Sequence, residues 1–299
     1  MASDELTVIT DMLRGARPGV DTPLADQRSG IDLLGSTVIA PPGTELEEVD
    51  AHGVRAVLAT PPDVGDGLVV HLHGGGYCIG SADGYAGFAG HLGAAAGTRV
   101  LVADYRLAPE HPSPAAQDDA AAVWRHAASM VGTTADLAIT GDSAGGGLAL
   151  ATALRTRRDG MTPPVAIGLI SPWVDLRLGA SSLVEHADDE AMLDADLLRH
   201  WADRFLAGAR RDDPAVSPLL DDLTGLPPLL VQVGGTEILL DDSLGLTAAA
   251  ARHRVDVTLD VVAEAFHIWV ALPTLLPEAD DAIARLGRFL AEHLGREHL

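Results

Sequence analysis

The chain predicts an α/β fold: a mostly parallel central sheet flanked by helices, with a helical cap. Three observations carry this expectation. Six short apolar runs, at residues 68–72, 100–103, 137–140, 165–170, 229–233 and 255–262, have the length of buried strands and mostly alternate with helical segments. Strands that alternate with helices build a parallel sheet covered on both faces. Ahead of them, residues 47–51 and 54–59 alternate around His52-Gly53, which is a hairpin pattern. The third observation is residues 137–154, LAITGDSAGGGLALATAL, where a strand runs through a glycine-rich turn straight into a small-residue helix.

Taken in order, residues 1–36 read as short amphipathic helices broken at Arg17-Pro18-Gly19 and Thr22-Pro23, with Leu6, Ile9, Met12 and Leu13 at helical spacing. Crossover helices are expected at 87–96, 115–130, 144–157 and 243–252, and a helix at 278–293 closes the chain. One interruption stands between Ser171-Pro172-Trp173 and the strand at 229: an insert at 176–213 whose stretch 193–206 is amphipathic, with Leu197, Leu198, Trp201 and Phe205 on one side. A loop of that length inside a compact domain usually has a task. Its apolar face needs a partner, and the unplaced N-terminal helices are the natural one. The expected organisation is a cap in two parts, 1–36 and 176–213, on a core in two parts, 37–175 and 214–299. The competing arrangement is a helical pair packed away from the sheet ends.

Composition removes several classes of function. The 299 residues carry 43 acidic against 20 basic side chains, a formal charge of -23, and every basic residue is Arg. Phosphate contacts need clustered basic residues, so no nucleic-acid partner is expected. The lysine-free, acidic composition fits GC-rich coding more simply than salt adaptation. A single cysteine, Cys78, excludes an internal disulfide and fits a reducing compartment. The first residues are acidic where a secretory signal would be basic, and no run resembles a membrane span. A cytoplasmic location is the expectation.

The turn Gly141-Asp142-Ser143-Ala144-Gly145 has the GxSxG spacing in the strand, sharp turn, helix context of a nucleophile elbow, which makes Ser143 the candidate nucleophile. Side chains at the flanking glycines would collide with neighbouring strand and helix. A serine hydroxyl needs a base, and the base an orienting acid, in the chain order Ser, acid, His. His267, just after the last strand, fits the base; His186, His200 and His253 fall on helices or in the insert, and His293 and His298 lie in the closing helix and tail. The strand at 229–233 leads into a loop with Glu237, Asp241 and Asp242. Glu237 comes soonest after the strand and is favoured, Asp241 is the alternative, and capping of the next helix is the structural role open to both aspartates.

The strand at 68–72 opens into His73-Gly74-Gly75-Gly76, whose bare amides can approach a substrate oxygen. Gly75, Gly76 and Ala144 are the candidate oxyanion-hole donors, with His73 bracing the loop. A metal reading of His71 and His73 lacks further ligands nearby. Gly74, Gly76 and Gly80 with Asp104 also imitate a dinucleotide-binding unit. That reading needs a helix starting at the glycines and leaves the elbow, Glu237 and His267 unexplained.

With HGGG at 73–76, DYRLAPEHP at 104–112, GDSAGG at 141–146 and the late Glu and His loops, the chain resembles the hormone-sensitive-lipase-like esterases of the α/β-hydrolase superfamily, from about residue 36 onward. Many relatives carry Asp where this chain has Glu237. The resemblance implies a serine carboxylesterase acting on short- to medium-chain esters, a cap of the kind described, no cofactor, a structural role for 105–110, and often a homodimer. Lactone or amide hydrolysis would use the same residues, and a non-catalytic small-molecule receptor is the reading from another class.

Overall fold

Pro18 and Pro23 divide the N-terminal apolar pattern into two helices, α1 (Asp4–Ala16) and α2 (Leu24–Ser36). Ser3 caps α1, its hydroxyl accepting the Leu6 amide at 3.0 Å. The computed structural model describes residues 2–132 and 136–295. β1 (Glu45–Asp50) and β2 (Arg55–Thr60) then form the expected hairpin. Its turn residues His52 and Gly53 both take positive φ, 59° and 88°, as a two-residue turn matched to strand twist requires.

From there strands and helices alternate: β3 (Leu68–Leu72), α3 (Ala86–Ala96), β4 (Arg99–Ala103), α4 (Ala115–Met130), β5 (Leu137–Asp142), α5 (Ser143–Asp159) and β6 (Ile167–Ile170). The insert follows with α6 (Ser182–Glu185) and α7 (Ala195–Leu206), and then β7 (Leu229–Gly234), α8 (Leu240–Arg252), β8 (Val257–Val262) and α9 (Pro277–His293). The eight strands form one sheet in the order β1-β2-β4-β3-β5-β6-β7-β8. β1 and β2 pair antiparallel, as do β2 and β4, and all later pairs are parallel.

The apolar runs are continuous because the inner strands are buried on both faces. Leu68, Val70 and Leu72 of β3 pack with Trp124 of α4 and Leu148 of α5, while Val69 points the other way with Phe88 of α3 and Leu286 of α9. Each such side chain contributes about 1.5–3 kcal/mol when fully buried. Parallel pairing also puts the carboxyl ends of β3, β5, β6, β7 and β8 along one edge, where their loops converge.

The N-terminal helices pack against the insert. Arg17, just past the end of α1, donates to the backbone carbonyls of Glu190 and Leu193 (3.2 and 3.1 Å), and Trp201 of α7 donates its indole N–H to Gln27 of α2 (3.0 Å). Arg28 of α2 holds Glu110 through two bonds of 2.9 and 2.7 Å and reaches the carbonyls of Cys78 and Ala108. One boundary differs with consequence: α8 starts at Leu240, so Asp241 and Asp242 lie in its first turn and do not cap it.

Candidate active site

The sharp turn between β5 and α5 places Ser143 at φ 52°, a strained position for a non-glycine residue that costs about 1–3 kcal/mol. The flanking glycines make it attainable. A Cβ on Gly141 would lie 2.3 Å from the Gly145 carbonyl oxygen, and one on Gly145 would lie 2.0 Å from that of Leu72 and 2.3 Å from that of His73. The Trp173 amide bonds the Ser143 carbonyl at 2.8 Å and fixes the elbow to the segment after β6.

His267 comes in on the loop after β8 and is buried. Its Nε2 lies 2.9 Å from Ser143 Oγ and its Nδ1 lies 2.7 Å from Glu237 Oε2. With the Nδ1 proton donated to the carboxylate, the Nε2 lone pair faces the serine hydroxyl. Glu237 is completely buried, and its other oxygen accepts from Ser171 Oγ at 2.7 Å and the Gly234 amide at 2.6 Å. Burial pulls the His267 pKa down, but the Glu237 hydrogen bond and charge, with Glu190 and Asp142 behind them, more than offset this. The imidazole stands above the ordinary histidine value.

The three carboxylates of this loop separate by position. Only Glu237 meets the imidazole. Asp241 accepts the Ser182 amide at 3.0 Å. Asp242 accepts the amides of Val174 and Asp175 at 2.8 and 2.9 Å, and burial raises its pKa to about 7.

The glycine loop after β3 sits beside the serine. Gly75 and Gly76 have φ of 115° and 59°. Added Cβ atoms would lie 2.1 Å from the Ile79 carbonyl oxygen and 2.2 Å from the Trp201 ring respectively. The Gly74 amide is taken by Asp142 Oδ1 at 2.9 Å, whereas Gly75 lines the cavity that holds Ser143 and His267. Ala144 is in the first turn of α5, where helix amides have no partner within the helix. His73 braces the loop: Nδ1 donates to the Gly74 carbonyl at 2.7 Å and the ring stacks on Tyr105, centroids 4.3 Å apart. Tyr105 returns its hydroxyl to the His73 carbonyl at 2.7 Å, the structural task expected of that stretch.

The dinucleotide alternative finds no support in this arrangement. α3 starts only at Ala86, beyond the glycines, and Asp104 is occupied by the Ala82 amide at 2.9 Å and by Arg55. The other histidines go elsewhere: His253 pairs with Asp222 at 3.0 Å, Nδ1 of His293 meets the Phe289 carbonyl oxygen at 2.7 Å, and His298 lies outside the described residues.

Two residues at the site escaped the sequence reading. Asp142, inside the elbow motif, is fully buried; besides Gly74 it accepts the Tyr85 hydroxyl at 2.7 Å and lies 3.2 Å from His71 Nε2. It ties the elbow to the glycine loop. Ser171, at φ 45°, links Glu237 to the Ile268 amide, which it accepts at 3.1 Å. A polar residue ending a buried strand next to the acid-bearing strand was the one available signal for Ser171.

A cavity of about 720 Å³ opens over Ser143 and His267. Ile9 and Leu13 of α1, Ile31 and Leu34 of α2, and Leu193 and Trp201 of the insert wall it. The lining is mostly apolar with a small polar centre, as in a small-molecule site.

The family model described as "alpha/beta hydrolase fold" matches residues 69–271. An acetyl-hydrolase of Streptomyces hygroscopicus is 42% identical over 228 residues, covering 76% of each chain. A crystal structure of an esterase from the bacterial hormone-sensitive lipase family superposes with a TM-score of 0.95 at 36% identity, covering 99% of this chain and 100% of that one. One of EstE5, soaked with p-nitrophenyl butyrate, superposes with a TM-score of 0.92 at 36% identity over 98% and 99% of the two chains.

Proposed function

This chain belongs to the α/β-hydrolase family, within its branch similar to bacterial hormone-sensitive lipase, and we propose that it works through Ser143, His267 and Glu237 as a catalytic triad. It is a serine carboxylesterase. The single observation that carries the triad is the chain of two hydrogen bonds, 2.9 and 2.7 Å, from serine through imidazole to a buried carboxylate.

In the mechanism, Ser143 Oγ attacks the ester carbonyl carbon as His267 Nε2 takes its proton. Glu237 stabilises the imidazolium and holds the ring in the productive tautomer. The oxyanion is received by the amides of Gly75, Gly76 and Ala144, each worth roughly 2.7–4 kcal/mol by analogy with measured donors. His267 then gives its proton to the leaving alkoxide, the alcohol departs, and an acyl-enzyme remains. Water, deprotonated by His267, attacks the acyl carbonyl; the acid leaves and Ser143 regains its proton.

Short- to medium-chain acyl esters are the substrates of this reading, on the strength of the apolar cavity and of the butyryl ester introduced into the similar EstE5 crystals. Residues 1–36 and the insert 176–213 are its cap, since both line that cavity. A cytoplasmic location and a homodimer complete the proposal; among the described residues no helix is long and apolar enough to cross a membrane. The test is hydrolysis of chromogenic esters over acyl length, with lactones and amides alongside, by the native chain and by Ser143→Ala. We expect a burst of alcohol and turnover on short esters, both lost in the variant with its fold unchanged. Turnover that survives in Ser143→Ala would overturn the triad.

A further inference from the structure

Glu190 is a buried carboxylate of the insert, 1% exposed, and the mechanism leaves it without a task. Its Oε2 accepts the amide of Ile238 at 3.1 Å, next in the chain to Glu237, and its Oε1 accepts the amide of Met192 at 2.9 Å. Arg17, just past α1, reaches only its backbone carbonyl, at 3.2 Å, and Arg14 of α1 reaches that of Asp189, at 3.0 Å. Among the described residues no cation pairs with the carboxylate itself. Burying such a group is costly, and the cost is recovered where a positive charge forms nearby. Turnover forms one on His267, which is bonded to Glu237, the neighbour in the chain of the Ile238 amide that Glu190 holds.

We propose that Glu190 is a positioning residue of the triad, delivered by the insert: it fixes the backbone beside Glu237 and sets a second negative charge against which the His267 imidazolium forms. This rests on the reading of Ser143, His267 and Glu237 given above. Among the charged groups acting on His267 are Glu237, Glu190 and Asp142, and Glu190 acts on Glu237 as well. Around Glu190 stand Glu237, then Arg17 at its carbonyl and His186, whose carbonyl accepts the Glu190 amide at 2.9 Å while its ring lies 3.9 Å from Asp189. The insert thereby completes the electrostatics of the site as well as walling the cavity.

The experiment follows kcat/KM on a soluble ester from about pH 5 to 9, with thermal unfolding, for the native chain, Glu190→Gln, Glu190→Asp and Ser143→Ala. Protonated His267 cannot act as base, so activity rises with pH through its pKa. Removing a negative charge lowers that pKa and moves the acid limb downward. In Glu190→Gln the limb should fall by about one pH unit and the plateau kcat/KM by roughly tenfold. Glu190→Asp, which keeps the charge, should hold the limb near that of the native chain, and it carries the test if the glutamine variant does not fold. An unmoved limb in Glu190→Gln, or a lowered one in Glu190→Asp, overturns the proposal and leaves a structural brace. Loss of turnover in Ser143→Ala assigns that failure to Glu190 alone; retained turnover there removes the triad reading itself.

Discussion

Exchanging Glu237 for glutamine should cost this esterase most of its turnover, and the structure says how. Oε1 of Glu237 accepts from two donors, Ser171 Oγ and the Gly234 amide, at 2.7 and 2.6 Å. A glutamine keeps those bonds only by putting its carbonyl oxygen in that place. Its amide nitrogen then faces His267 Nδ1, where the carboxylate oxygen stood at 2.7 Å. Two N–H donors cannot share that contact, so the ring must take its proton on Nε2, which then points a hydrogen at Ser143 and cannot accept one. The opposite amide flip sets NH₂ against the Gly234 N–H, which is worse. Tautomer reversal in serine-protease triads lowers kcat by about 10⁴-fold, and four factors of ten at 1.36 kcal/mol each come to ~5.4 kcal/mol of barrier. Asp241→Asn is the matched control: its carboxylate meets the Ser182 amide, away from the imidazole, and kcat should stay within roughly threefold. Initial rates on a soluble chromogenic ester, with circular dichroism to check folding, decide between them. A larger loss in Asp241→Asn, or less than tenfold in a folded Glu237→Gln, would refute the assignment.

Two predictions concern stability. A methyl group on Gly145 would enter fixed backbone at Leu72 and His73, so Gly145→Ala should lower stability by about 1–3 kcal/mol or more, while Gly15→Ala in α1, with nothing within 4 Å of the added carbon, should raise it by roughly 0.5–1 kcal/mol; denaturant titration showing the reverse order would contradict the packing. Asp242, raised to about 7 by burial, holds a proton in the folded chain that the unfolded chain has released between about pH 4 and 7. Stability attributable to this group therefore falls as pH rises through that window. Asp242→Asn can still accept the Val174 and Asp175 amides, so its melting temperature should gain on that of the native chain from about pH 4 to 7; a difference that stays flat with pH would count against this.

Much of the fold could be read from the chain because its signals are local. Six apolar runs, the His52-Gly53 turn and Pro18 and Pro23 located elements to within a few residues, since strand and helix periods and backbone exclusions act over neighbouring positions. Ser143 was legible for the same reason: the strand, the glycines and the helix that shape its turn are consecutive. The role of Asp241 and Asp242 was not. Both look like helix caps in sequence, yet they accept amides from the insert and from the segment after β6, partners some 60 to 70 residues away in the chain.

By itself, then, the sequence determined the order of strands and helices, the sharp turn beneath Ser143 and the side-chain-free glycine loop, all consequences of residues adjacent in the chain. Tertiary structure alone decided which of three carboxylates meets His267, that Ser171 and Asp142 support the site, and that Glu190 arrives from the insert. A buried carboxylate takes its role from the donors that packing brings to it, and Ser143 and His267, 124 residues apart, come within hydrogen-bonding distance only because a parallel sheet gathers its loops at one edge.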